Sequence, residues 1–257
     1  ASELVTAKVR RLTRQLPDRH VLLSVDRLDY TKGILYRLKS FAHALDRFPE
    51  LHQNVTLVQV VVPSREGVEQ YQELRRDIDQ LVGSVNGRFT QPGWVPIHHI
   101  FRGLERDELL AFYRVADVGL VTPFKDGMNL VAKEYCACQV NSDGVLILSE
   151  FAGAAAELGR EALLVNPYDI EGVAQAIRTA ISMDRRDRRR RMRRLRDRLR
   201  RNDVHRWVES FLGAMGGGAP RARGPIAVRS APSESVSPVT PRPGLSPVSP
   251  NPIKLSG

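Results

Sequence analysis

Two stretches of this chain carry the residue types that hold a charged, hydroxyl-rich ligand. The first is Asp26-Arg-Leu-Asp-Tyr-Thr-Lys-Gly33. Arg27 and Lys32 supply two cations beside a glycine that opens a helical pattern. An Arg offers a bidentate fork and a Lys a point charge, and the pair suits a diphosphate. Asp26 and Asp29 stand in the same loop and can neutralise both cations, which would leave an ordinary solvated turn. The second stretch is Thr122-Pro-Phe-Lys-Asp-Gly-Met-Asn-Leu-Val-Ala-Lys-Glu134. Asp126 offers an acceptor for sugar hydroxyls, and Gly127 lets the backbone come close to a ligand. Asn129 is placed to cap the following helix, whose start favours anions. Glu134 lies about one turn into that helix, where a carboxylate can hold a ribose diol. By spacing alone, this stretch equally fits a plain strand–loop–helix connection with an exposed acid. A third cation, Arg65 of Val62-Pro-Ser-Arg65, joins the first two only if the fold sets these loops side by side; otherwise it is a surface arginine.

The elements that must position these loops follow from periodicity. The runs 21–25, 55–62, 117–121 and 145–148 are almost free of polar residues, as in strands covered on both faces. Residues 97–101 and 162–165 read as weaker strands. Helical spacing of apolar residues covers 4–16, 34–48, 68–85, 105–115, 130–139, 151–158 and 170–183, with further helices over 185–201 and 203–213. Pro17, Pro49 and Asn86-Gly87 act as breakers, the last ending the 68–85 helix. The small residues Gly153-Ala-Ala-Ala156 permit close backbone approach. Strands and helices alternate, which predicts an α/β fold with a doubly wound, parallel, Rossmann-like sheet. Such sheets bind ligands beyond the carboxyl ends of their strands, where both candidate loops fall. No G-x-G-x-x-G follows the first strand, which disfavours a dinucleotide-dependent oxidoreductase.

The net charge of the 257 residues is +10, and it is localised. Residues 185–201 hold twelve Arg against two Asp, which accounts for the whole excess. Met192, Leu195 and Leu199 recur there at helical spacing, so this helix is expected to pack on the body with its Arg face solvated. It offers no aromatic platform for bases, and nucleic-acid binding is disfavoured. Cys136 and Cys138, two apart on one helix, point to different sides, as buried thiols of a reducing cytoplasm rather than a disulfide or metal pair. His98 and His99 are adjacent on a strand, so one faces the core, and neither has a partner at metal spacing. No apolar run approaches the roughly 18 residues of a membrane span. The opening Ala1-Ser-Glu-Leu has no initiator Met and no signal peptide, so the chain reads as a piece of a longer one. The expected organisation is a folded domain over 1–213 and a disordered Pro/Ser-rich tail over 214–257.

Taken together, Val25-Asp-Arg-Leu-Asp-Tyr-Thr-Lys-Gly33, Val62-Pro-Ser-Arg65, Asn86-Gly-Arg88, Asp117-Val-Gly-Leu-Val-Thr-Pro123, Asp126-Gly-Met-Asn-Leu-Val-Ala-Lys-Glu-Tyr135, Ser149-Glu-Phe-Ala-Gly-Ala154 and Asn166-Pro-Tyr168 resemble the trehalose-6-phosphate synthases. The resemblance spans roughly 1–213. It implies the carboxyl-terminal, donor half of a GT-B type glycosyltransferase, with the amino-terminal domain missing. The implied reaction moves glucose from UDP-glucose or ADP-glucose to glucose-6-phosphate, with retention, without metal or cofactor, in the cytoplasm. It further implies that Arg27 and Lys32 bind the donor diphosphate, that Asp126 holds the glucose, and that Gly127, Met128, Asn129, Leu130 and Val131 line the donor. Glu134 would take the ribose and Arg65 the acceptor phosphate. A homo-oligomer is implied for the full-length protein, and no membrane partner. Without its other half, the chain is expected to bind nucleotide weakly and to turn nothing over. Two further readings stay open: a related synthase with another phosphorylated acceptor, such as glycerol-3-phosphate, and a non-catalytic regulatory subunit.

Overall fold

A computed structural model describes residues 2–17, 19–65 and 67–202, together with Val208 and Leu212. The helix expected over 203–213 lies, apart from those two residues, outside the described ones, as does the expected tail. The order is α1 (Glu3–Gln15), β1 (His20–Arg27), a 3-10 turn (Tyr30–Lys32), α2 (Ile34–Arg47), a second 3-10 turn (Pro49–Leu51), β2 (Val55–Val62), α3 (Glu69–Phe89), β3 (Ile97–Phe101), α4 (Arg106–Val115), β4 (Val118–Val121), α5 (Leu130–Cys138), β5 (Val145–Ser149), α6 (Ala155–Leu158), β6 (Leu163–Val165), α7 (Ile170–Ser182) and α8 (Arg185–Arg201). Among the described residues the strands form one six-stranded sheet in the order β3-β2-β1-β4-β5-β6. Every neighbouring pair is parallel. The sheet is the doubly wound one that the alternation predicts.

Residues 21–25 of β1 and the whole of β2, β4 and β5 are near-continuous apolar runs because each face is covered by helices. Successive residues of β1 enter opposite cores. Leu22 joins α2, α3 and α7 on one face through Phe41, Ile78 and Ile177. Val21, Leu23 and Val25 join the other face with Phe112, Tyr135, Leu158 and Met192. The Arg-rich α8 packs as its stripe predicts, with Met192 and Leu195 buried and Leu199 against the same core. Several of its arginines reach back to the body, as Arg189 Nε does to Asp143 Oδ1 at 2.5 Å and Arg198 Nη1 to the Glu157 carbonyl at 2.7 Å.

Three boundaries differ from expectation by two residues or more, each for a physical reason. The first strand runs past Val25 to Arg27, because Asp26 and Arg27 stay in register with Val61 and Val62. Helix α3 does not stop at Asn86-Gly87. The Asn86 side chain turns aside to serve β3, donating to the Ile97 carbonyl at 2.9 Å and accepting from its amide at 3.0 Å, and the helix continues to Phe89. The short helix expected over 151–158 begins only at Ala155. Its leading residues dock a loop instead: Ala152 forms a parallel bridge with Asp126, and the Gly153 amide donates to the Asp126 carbonyl at 2.8 Å. Of the two adjacent histidines, His98 is exposed, and the His99 ring lies near Asp79 and Phe101. Cys136 is buried and Cys138 half-buried, both as free thiols that burial pushes up from their ordinary pKa.

Candidate functional site

The strand order reverses direction between β1 and β4, so the loops after these strands diverge to opposite faces and leave a crevice at the carboxyl edge. The loops close on each other at its base. Thr31 accepts the Phe124 amide at 2.7 Å. Gly33, at φ 64°, comes so near the second loop that a Cβ there would stand 2.7 Å from the Thr122 carbonyl oxygen. Only glycine meets both the left-handed backbone and this approach without strain.

Lys32 and Asp126 meet across the crevice, Nζ to Oδ2 at 2.7 Å, with each side chain 16% exposed. Asp126 also accepts the Asn129 side-chain amide at 3.0 Å, while its other oxygen takes the backbone amides of Asn129 at 3.2 Å and Met128 at 3.4 Å. Burial raises the carboxyl's pKa, but the hydrogen bond and charge of Lys32 and the Asn129 amide outweigh it, so Asp126 sits below the usual carboxylate range. Asn129 caps α5 as its type predicts, accepting the Ala132 amide at 2.9 Å, and it does so at φ 64°. A non-glycine residue in that conformation is held by its surroundings.

The alternative in which Asp26 and Asp29 neutralise the loop cations does not occur in that form. Asp29 caps the 3-10 turn, accepting from the Thr31 amide and hydroxyl at 2.9 and 2.7 Å. Asp26 is buried and paired with Arg37 at 2.6 Å. Arg27 is exposed at the end of β1, and its side chain makes no hydrogen bond or ion pair among the described residues.

The sheet also satisfies the condition set for Arg65. Strand β2 is the immediate parallel neighbour of β1, so Arg65 follows its own strand to the same edge. It adopts φ 51° and donates from Nη1 to the Tyr71 hydroxyl at 2.8 Å. Tyr71 in turn meets Tyr30 of the first loop edge to face, at 5.2 Å between centroids. Glu134 is exposed on α5 and accepts the Tyr113 hydroxyl at 2.9 Å, which leaves the carboxylate fixed but accessible. Met128 and Leu130 are 57% and 56% exposed beside Asp126, and Val131 is half-buried. A Cβ on Gly127 would meet no protein atom within 4 Å, whereas one on Gly153 would lie 2.0 Å from the Gly127 carbonyl oxygen, so the packing of this loop requires the glycine at 153.

One residue escaped the sequence reading. Arg37 of α2 is 1% exposed, and it donates to Asp26, Thr122, Gln59 and the Lys32 carbonyl. A signal for it did exist. It stands inside the apolar stripe Ile34, Leu38, Phe41 and Leu45, where a charge is out of place unless it is paired.

The family model of Glycosyltransferase family 20 matches residues 1–216. The chain belongs to glycosyltransferase family 20. Among curated relatives in that family, the trehalose-6-phosphate synthase of Mycobacterium bovis is 49% identical over 221 residues, which is 86% of this chain and 44% of the relative. Among solved structures, the α,α-trehalose-phosphate synthase (UDP-forming) of Burkholderia xenovorans, in complex with glucose-6-phosphate, superposes with a TM-score of 0.79 at 41% identity. That match covers 84% of this chain and 49% of the other. The E. coli trehalose-6-phosphate structure bound with UDP-2-fluoro glucose gives a TM-score of 0.79 at 39% identity, covering 84% of this chain and 48% of that one. The family 20 chain described here thus spans less than half the length of the curated relative it matches. Its sheet and flanking helices are those of the GT-B enzymes it resembles.

Proposed function

We propose that this chain is the donor-binding half of a trehalose-6-phosphate synthase, which transfers glucose from UDP-glucose or ADP-glucose to glucose-6-phosphate. The observation that carries the reading is the crevice itself. It places the Lys32–Asp126 pair, the exposed Arg27, the capped start of α5 and the Glu134 carboxylate along one edge of the sheet. Arg27 and Lys32 hold the diphosphate and meet the charge that grows on it as the glycosidic bond breaks, which is electrostatic stabilisation by groups set in advance. Side-chain cations stand where another transferase would use a metal, and transfer proceeds with retention, as the resemblance implies. Asp126 receives sugar hydroxyls, and the backbone from Gly127 to Val131 lines the donor. Glu134 takes the ribose diol. Arg65, held against Tyr71, points its guanidinium to the acceptor phosphate brought by the other half of the enzyme. Lys32 must share its ammonium between Asp126 and the incoming phosphate, so the pair is a latch that the donor partly opens.

The named substrates of relatives support this assignment: the Burkholderia xenovorans structure carries glucose-6-phosphate, and the E. coli structure a UDP-sugar analogue. The test is calorimetric titration of the chain with UDP and with ADP, beside Arg27→Ala. Saturable binding that the substitution weakens tenfold or more, about 1.4 kcal/mol, is the expected result and ranks the two bases. A folded chain that takes up neither nucleotide would overturn the assignment for this half.

A further inference from the structure

Arg37 is buried beneath the crevice, and its side chain ties β1 and β2 to the Lys32 loop and to the start of the loop after β4. The guanidinium has five N–H donors in a rigid plane. Nη1 reaches Asp26 Oδ2 of β1 at 2.6 Å and Gln59 Oε1 of β2 at 3.3 Å. Nε reaches Thr122 Oγ1, just beyond β4, at 2.9 Å. Nη2 reaches the carbonyl of Lys32 at 2.9 Å. The anchor beneath is complete, since Asp26 Oδ2 also accepts the Ser24 hydroxyl at 3.2 Å. A cation this deep needs a partner, but one carboxylate would suffice. Of the other three contacts, those to Thr122 and to the Lys32 main chain join the loops that carry the two halves of the Lys32–Asp126 pair.

We infer that Arg37 is a positioning residue for the donor site: by bonding the Lys32 carbonyl and the Thr122 hydroxyl with one rigid group, it sets where the Lys32 ammonium stands relative to Asp126. The inference rests on the donor reading above for its functional meaning, but its geometric content concerns the pair alone. Arg37 acts through Lys32 and is not itself a ligand contact. A lysine in its place keeps the charge beside Asp26, but a single ammonium cannot span Thr122 and the Lys32 carbonyl together.

The experiment uses the 257-residue chain with Thr122→Val and Arg37→Lys, each alone and combined with Lys32→Ala. Thermal unfolding checks that each variant folds; Thr122→Val removes one hydroxyl at nearly constant volume and serves if Arg37→Lys does not fold. Two readouts follow. The first is the titration of the Asp126 carboxyl by carbon NMR, which reports its distance from Lys32 with no ligand present. The second is UDP affinity by calorimetry. Both variants are expected to raise the Asp126 midpoint toward the ordinary carboxylate value and to weaken UDP by about fivefold to tenfold, the loss of one charge-assisted contact. With Lys32→Ala already in place, Thr122→Val should weaken UDP no further. An unchanged Asp126 midpoint in a folded variant, or a loss of UDP as large with Lys32 absent as with it present, would overturn the inference. Should the wild-type chain take no UDP while Thr122→Val still moves Asp126, the donor reading falls and the hold of Arg37 on the pair stands.

Discussion

At the scale of single residues, the site is a set of charges restrained before any ligand arrives. Asp126 is held low in pKa by Lys32, so the sign of its effect on stability is fixed. A carboxyl whose folded pKa lies below its unfolded one stabilises the fold above the unfolded value, and that contribution disappears as pH falls through the folded value. Asp126→Asn should therefore cost about 1–2 kcal/mol in urea unfolding at neutral pH, discounted for partial exposure. The gap between variant and wild type should close below the usual carboxylate range. Gly153→Ala should cost about 2 kcal/mol or more in the same measurement, because the new Cβ meets main chain rather than a yielding side chain. Gly127→Ala should leave stability nearly unchanged. Residue types made Arg27, Lys32 and Asp126 legible as site candidates from the sequence. Their pairing was not legible, because Lys32 and Asp126 stand 94 positions apart and only the strand order brings them together. Arg37 was missed for the opposite reason: its position in an apolar stripe was visible, but what would satisfy it depends on three other segments.

At the scale of elements, sequence punctuation was right where it acted locally and wrong where a tertiary contact outbid it. Asn129 caps α5 because its side chain finds the Ala132 amide three residues on. Asn86-Gly87 fails to stop α3 because the Asn86 amide finds both main-chain groups of Ile97, and no local signal announces that contact. Asn86→Ala should thus weaken the junction of α3 and β3 rather than lengthen or shorten the helix. The expected cost is about 1–3 kcal/mol by chemical denaturation, the penalty of leaving a strand amide and carbonyl without their partner. Helical content by circular dichroism should stay level. The same competition explains the late start of α6, since residues 151–154 spend their backbone on the Asp126 loop.

At the scale of the whole molecule, the fold class was legible because strands buried on both faces have little room for polar residues, and the runs 21–25, 55–62, 118–121 and 145–149 contain no polar residues but Ser24, Thr56, Gln59 and Ser149. The alternation of such runs with helical periods leaves few architectures other than a parallel sheet between two helical layers. What alternation cannot supply is the order of the strands, and with it the place where the crevice opens. That order turns three separate loops into one assembly: Thr31 holds the Phe124 amide, and the Asp126 carbonyl holds the Gly153 amide. Segments joined this way should open to solvent together, as one cooperative unit, and not loop by loop. In hydrogen-exchange measurements the Phe124 and Gly153 amides should then share a single opening free energy, and a nucleotide bound in the crevice should slow both by the same factor. Distinct protection for the two amides would mean that the loops breathe separately. On the proposed donor reading, a floor that opens as one unit would let a bound sugar nucleotide leave no faster than that floor melts.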